Sequence, residues 1–218
     1  MRLRTFLQFV AVLLSAVCAT NAQQQQQQRP KVTVLIAAEN PALRLLDKEN
    51  GKALTEVNFW RAQWSPAGSG AVCFVTIRDS GDANLRVAIT DNEKLAKYII
   101  SSIMGGFGGP NRFNTPAYTI QTGTIVQTNI GVTQRTETCR SSQYNIAVIW
   151  KDLGGATWVP EFRPGNADVV QSFVMVQAKG AEVIVNGKQA PGSYFPTGGG
   201  FGPGAFLTLN EAWRREEK

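Results

Sequence analysis

The chain reads as a mainly β protein of α+β type, an antiparallel, hairpin-rich barrel or half-barrel of about 8 to 10 strands with one main helix near residues 91-104. Three observations predict this. The stretch from Tyr118 to Trp150 carries a long period-2 pattern, with Ile120, Val126, Ile130 and Val132 at even positions and Gln121, Gln127, Asn129, Thr133 and Arg135 at odd ones. That is the alternation of a strand with one wet face. Further β-branched runs separated by turn residues follow one another without regular strand-helix alternation, which argues against a doubly wound sheet. Thr90 and Glu93 form a T-x-x-E capping box ahead of Leu95, Tyr98, Ile99 and Ile103, which fall on one helical face.

Met1 to Ala22 has a basic start (Arg2, Arg4), an apolar stretch from Phe6 to Val17 and small residues before the glutamines. This is the pattern of a secretory signal peptide, expected to be cleaved after Ala22. Its apolar part is too short to span a bilayer. Lipid modification at Cys18 is the rival reading, but Ser15-Ala16-Val17 is a poor approach to it. Residues 23-30, six glutamines followed by Arg29 and Pro30, have nothing apolar to bury and are expected to be a disordered spacer. Residues 31-218 then form a single β-rich domain, secreted or periplasmic, with no membrane span in the mature chain.

In chain order, Lys31 to Ala38 reads as the first strand. Asn40-Pro41 before Leu43, Leu45 and Leu46 fits a capped short helix or a loop equally well. Thr55 to Trp64 reads as a strand, and Ala71 to Ile77 is apolar on both faces, the mark of a covered central strand. Asp79 to Asp82 turns the chain into a strand over Leu85 to Ile89, and the helix packs on that hairpin. Residues 105-110 (GGFGGP) end the helix. The long strand after Tyr118 is expected to bend or bulge at Gly123 and Gly131 before Arg140 to Gln143 turns it into Tyr144 to Trp150. Gly154-Gly155 is expected to turn the chain, with Thr157 to Phe162 pairing back before Pro164-Gly165. Lys179-Gly180 reads as a tight hairpin between Val169 to Ala178 and Ala181 to Asn186. The glycine- and proline-rich run from Pro191 to Gly204 leads into a last strand over Ala205 to Trp213.

The chemistry is bounded by what is missing. No histidine occurs, so His-based triads and His-ligated metal sites are excluded, and the sequence calls for no cofactor or metal. The net charge of +6 falls to +4 once the leader is removed, and its basic residues are scattered, which gives no nucleic-acid footprint. Cys73 and Cys139 remain after cleavage and form a disulfide candidate in an oxidising compartment, although Cys139 carries the parity of the polar face. Trp60, Trp64, Tyr144, Trp150 and Trp158 are the candidate lining of a site for a small apolar or amphipathic ligand. Asp152, Glu161 and Asp168 around the Gly-Gly turn support an alternative, carboxylate-dependent chemistry on a carbohydrate or small metabolite, for which Glu137 and Glu182 are further candidates. A third reading is an extracellular interaction module that uses its Gly/Pro loops and exposed aromatics.

Overall fold

The computed structural model describes residues 31-78, 85-104, 118-131, 133-163, 168-197 and 204-216. The expected signal peptide, the glutamine spacer, the Asp79 to Asp82 turn, the glycine run at 105-110, Pro164-Gly165 and residues 198-203 lie outside them. The fold lies within the compact unit Val34–Arg215.

Among the described residues twelve strands form one sheet: β1 Val32–Glu39, β2 Ala42–Leu46, β3 Ala53–Trp64, β4 Gly70–Ile77, β5 Leu85–Thr90, β6 Thr119–Thr122, β7 Thr124–Ile130, β8 Gln134–Arg140, β9 Asn145–Phe162, β10 Val169–Val185, β11 Lys188–Gln189 and β12 Ala205–Glu216. Ten of them follow the order β6-β5-β4-β3-β1-β12-β10-β9-β8-β7, with β2 on β3 and β12 and β11 on β10. The two ends of that order are consecutive in sequence. β6 and β7 are halves of one stretch broken at Gly123, so the sheet curls until its edges meet through a single strand. β6 runs parallel to β5, β7 antiparallel to β8, and Gly123 N donates to Thr90 O at 2.8 Å across the junction. The result is curled rather than a regular barrel, because β9 and β10 run well past their shorter neighbours.

The period-2 rule sorts side chains between two cores. Val57, Phe59, Cys73, Val75, Ile89, Cys139, Ile146, Val148, Trp150, Val183 and Leu207 fill the inside of the curl. Trp60, Val72, Phe74 and Ala88 point the other way and meet the helical segment. β4 is therefore buried on both faces, as its unbroken apolar sequence predicts. The helix begins at Glu93, with α1 over Glu93–Tyr98 continuing as π-helix over Ile99–Met104. Leu95, Ile99 and Ile103 are all buried against the β4–β5 hairpin, in the expected place. Its cap is Asn92 instead of Thr90: Asn92 Oδ1 accepts from Leu95 N at 3.2 Å, while Thr90 Oγ1 accepts from Asn92 N at 2.9 Å and so closes the turn before the helix.

Four expectations are corrected. Leu43, Leu45 and Leu46 belong to a strand, since backbone partners on β3 and β12 outweigh the Asn-Pro start signal, and Asn40 spends its amide on Phe59 O at 3.0 Å. Gly131 does not bend a long strand but turns it, with Gly131 N donating to Gln134 O at 3.0 Å, so that β7 and β8 pair with each other. Gly154-Gly155 does not turn the chain, because β9 runs through it and stays paired to β10. Lys179-Gly180 lies inside β10 with Gly180 opposite Lys151; the tight turn is Asn186-Gly187, where both residues have positive φ (50° and 79°).

Candidate functional site

The five aromatic residues do not converge. Trp150 is fully buried inside the curl, where its Nε1 donates to Ala42 O at 3.1 Å, and Tyr144 packs on the same core. Trp60 lies in the opposite core, edge-on to Trp213 with ring centroids 5.6 Å apart. Trp64 and Trp158 are in solvent, 49% and 59% exposed. Alternation along strands explains the split, since Trp60 and Phe59 are sequence neighbours and must face opposite ways. The interior that was to hold a ligand is filled by branched and aromatic side chains.

The acids are equally dispersed. Glu137 is fully buried, held by Arg61 Nη2 at 2.8 Å and Arg135 Nη2 at 2.7 Å, and Arg135 reaches on to Glu39 Oε2 at 2.6 Å. Arg61 also lies over the Phe59 ring at 5.4 Å. The polar residues Arg135 and Glu137 that the sequence places on a wet face are thus inside, because odd positions face inward here: Ile125 stands opposite Cys139 and Gln127 opposite Glu137, while the even-numbered Val126 is exposed. Cys139 shares their side and joins Cys73 in the inner core; both are free thiols, so the expected disulfide is not formed in this structure. Glu182 pairs with Lys151 at 2.5 Å, Glu161 with Arg163 at 2.5 Å and Asp168 with Arg215 at 3.2 Å. Asp152 and Glu161 sit nine positions apart on one extended strand, about 30 Å from each other. That is too far for a hydrolytic pair. Among the described residues no group of three or more His, Cys, Asp or Glu is placed to hold a metal ion.

Glu211 is the acid that sequence reasoning misses. In β12 two residues, Asn210 and Glu211, stand against Phe173 alone on β10, and Asn210 takes φ 50°. This bulge reverses the faces beyond it, so Glu211 and Trp213 share the side of Thr208 and are buried. Thr208 Oγ1 donates to Glu211 Oε2 at 2.7 Å and Trp213 Nε1 donates to Oε1. Burial pushes its pKa up to about 7, against the pull of those two donors. The residue is only 3% exposed.

A surface recess of 1020 Å³ lies beside the start of α1, lined by Ser69, Gly70, Asp91, Asn92, Glu93 and Lys97 among others. Four of its polar side chains are already engaged. Asp91 Oδ1 accepts from Ala71 N at 2.7 Å, Asn92 caps the helix, and Glu93 pairs with Lys97 at 2.5 Å.

One surface stands apart from these. β9 pairs with β8 only through Asn145 to Lys151, and its next link on that side is Leu153 N to Thr133 O at 3.1 Å. Among the described residues no strand covers the outer edge of β9 from Gly154 to Phe162. Its other edge pairs with β10, with bulges at Gly154-Gly155 and Pro160-Glu161. No known protein family, characterised protein or solved structure matches this chain. The rim must therefore be judged on its own chemistry. Trp158 stands opposite Val174, two residues from the core residue Val176, so it continues the core-lining face into solvent. Phe162 is 47% exposed and packs edge-on to Phe173 at 6.3 Å. No long-range signal in the sequence marks this rim, because β9 is free only through the shortness of β8.

Proposed function

We propose that the protein is an interaction module that takes an extended segment of a partner protein onto the outer edge of β9. The observation that carries this reading is the run from Gly154 to Val159, whose outer edge no strand pairs among the described residues, with Trp158 standing on it. A strand edge offers alternate N–H and C=O groups for main-chain pairing, and side chains at every second position give selectivity. Trp158 is the anchor, a large apolar surface in water that a partner side chain would cover. Pro160 lacks an N–H and ends the ladder on that side. The partner segment is apolar at alternate positions and neutral to basic, since Asp152 and Glu161 flank the rim. A second copy of the same rim is a poorer fit, because an antiparallel two-fold pairing brings the same acids opposite one another.

Selection of extended peptides from a displayed library against the full chain tests this. Selected peptides should bind at least about tenfold more weakly to Trp158→Ala, and amide hydrogen exchange over residues 152-162 should slow when they bind. Binders indifferent to Trp158→Ala that protect another surface, or no binders at all, overturn the reading. The packed interior gives the small-ligand reading no comparable support.

A further inference from the structure

We propose that Cys73 and Cys139 are a latent disulfide that latches the seam of the curled sheet, linking β4 to β8 across the interior. Both side chains are fully buried in the same core cluster, although β4 and β8 are far apart in strand order. Curling brings them together. Cys73 stands opposite Ile89 on β5, and Ile89 reaches the junction at Gly123, which is itself pressed against the backbone of Arg140, the neighbour of Cys139. The two thiols are close enough to perturb each other: burial first, and then the Cys73 thiol, hold Cys139 well above its ordinary pKa. In the closed, reduced protein that keeps the Cys139 thiolate scarce.

The bond therefore forms before the seam shuts, in the oxidising compartment that the leader at residues 1-22 leads us to expect. The oxidant is a disulfide, either a small-molecule disulfide or a disulfide-bearing oxidoreductase. One cysteine thiolate attacks it to give a mixed disulfide and release one thiol. The second cysteine, losing its proton, attacks the protein sulfur of that mixed disulfide and displaces the other thiol, so two electrons pass to the oxidant. The closed loop spans some 66 residues, which places the constraint at the upper end of the usual range.

The experiment refolds the full chain with oxidised or with reduced glutathione and maps its peptides under non-reducing conditions. A Cys73–Cys139 linked peptide, a mass lower by two hydrogen atoms and a melting temperature about 10 °C higher in the oxidised form are expected. The double variant Cys73→Ala with Cys139→Ala should melt alike after both treatments. Recovery of free thiols at both positions after oxidative refolding, or linkage of either one to Cys18, overturns the proposal. If the double variant does not fold, the peptide map of the unsubstituted protein decides alone.

Discussion

Glu211 shows how one extra residue changes the ionisation of a side chain. Without the bulge at Asn210 the carboxyl would take the opposite face of β12; with it, the carboxyl is shut in beside Trp213 with neutral hydrogen-bond donors for company. Its pKa of about 7 in the folded chain exceeds the ordinary 4.5, so the native state holds a proton that the unfolded chain gives up. The stabilisation is complete below the unfolded value and is lost as pH rises through about 7. Urea unfolding should show the protein losing about 3 kcal/mol between about pH 4.5 and pH 8 from this group. In Glu211→Gln that share of the loss should vanish, while the rest of the pH profile stays. A profile that is the same in both proteins would mean that the carboxyl is not isolated as the geometry has it.

At the scale of elements, Glu93 to Met104 was legible because three signals agree locally: a capping residue, an apolar stripe and helix formers between them. Ile99→Ala should cost about 2–5 kcal/mol in thermal or urea unfolding, the usual range for deleting a buried aliphatic group. Lys94→Ala, in solvent, should cost almost nothing, and equal losses would show that the stripe is not packed on β4 and β5. The strands β1, β3, β4, β5 and β12 were legible for the same reason, each being a β-branched or alternating run with its own turn signals. The errors fall where tertiary pairing overrides a local cue. Gly154-Gly155 and Gly180 look like turns, yet the first is a two-residue bulge against Gln177 within a continuing strand and Gly180 stands opposite Lys151, and Asn40-Pro41 looks like a helix start, yet Leu43 is claimed by β3 and β12 and Leu45 by β3. The inward placement of Arg135 and Glu137 was hidden because it depends on Arg61, a partner 76 positions away from Glu137. The rim of β9 was hidden because it is defined by what its neighbour fails to cover.

The whole molecule depends on a closure made by twelve residues, Thr119 to Ile130, which serve both edges of the sheet. A Cβ at Gly123 would lie 2.1 Å from Arg140 O and 2.6 Å from Ile89 Cγ2, both at the point where the edges meet. Gly123→Ala should therefore cost about 1–3 kcal/mol in urea unfolding, as overpacking does, and hydrogen exchange should quicken in β5 and β8 ahead of β9. Unchanged exchange in those strands would place the seam elsewhere. The same sheet order also governs when the protein can be finished. β1 lies beside β12, so a strand made early in synthesis waits for one made more than 160 residues later. Until then β1 and β10 each present a bare flank, and the pairings still to be made are the most distant in the chain. Folding dominated by such remote pairings is slow, in the millisecond-to-second range of β-rich domains. A chain released early, without Ala205 to Glu216, would be left with two open flanks and a strong tendency to associate through them.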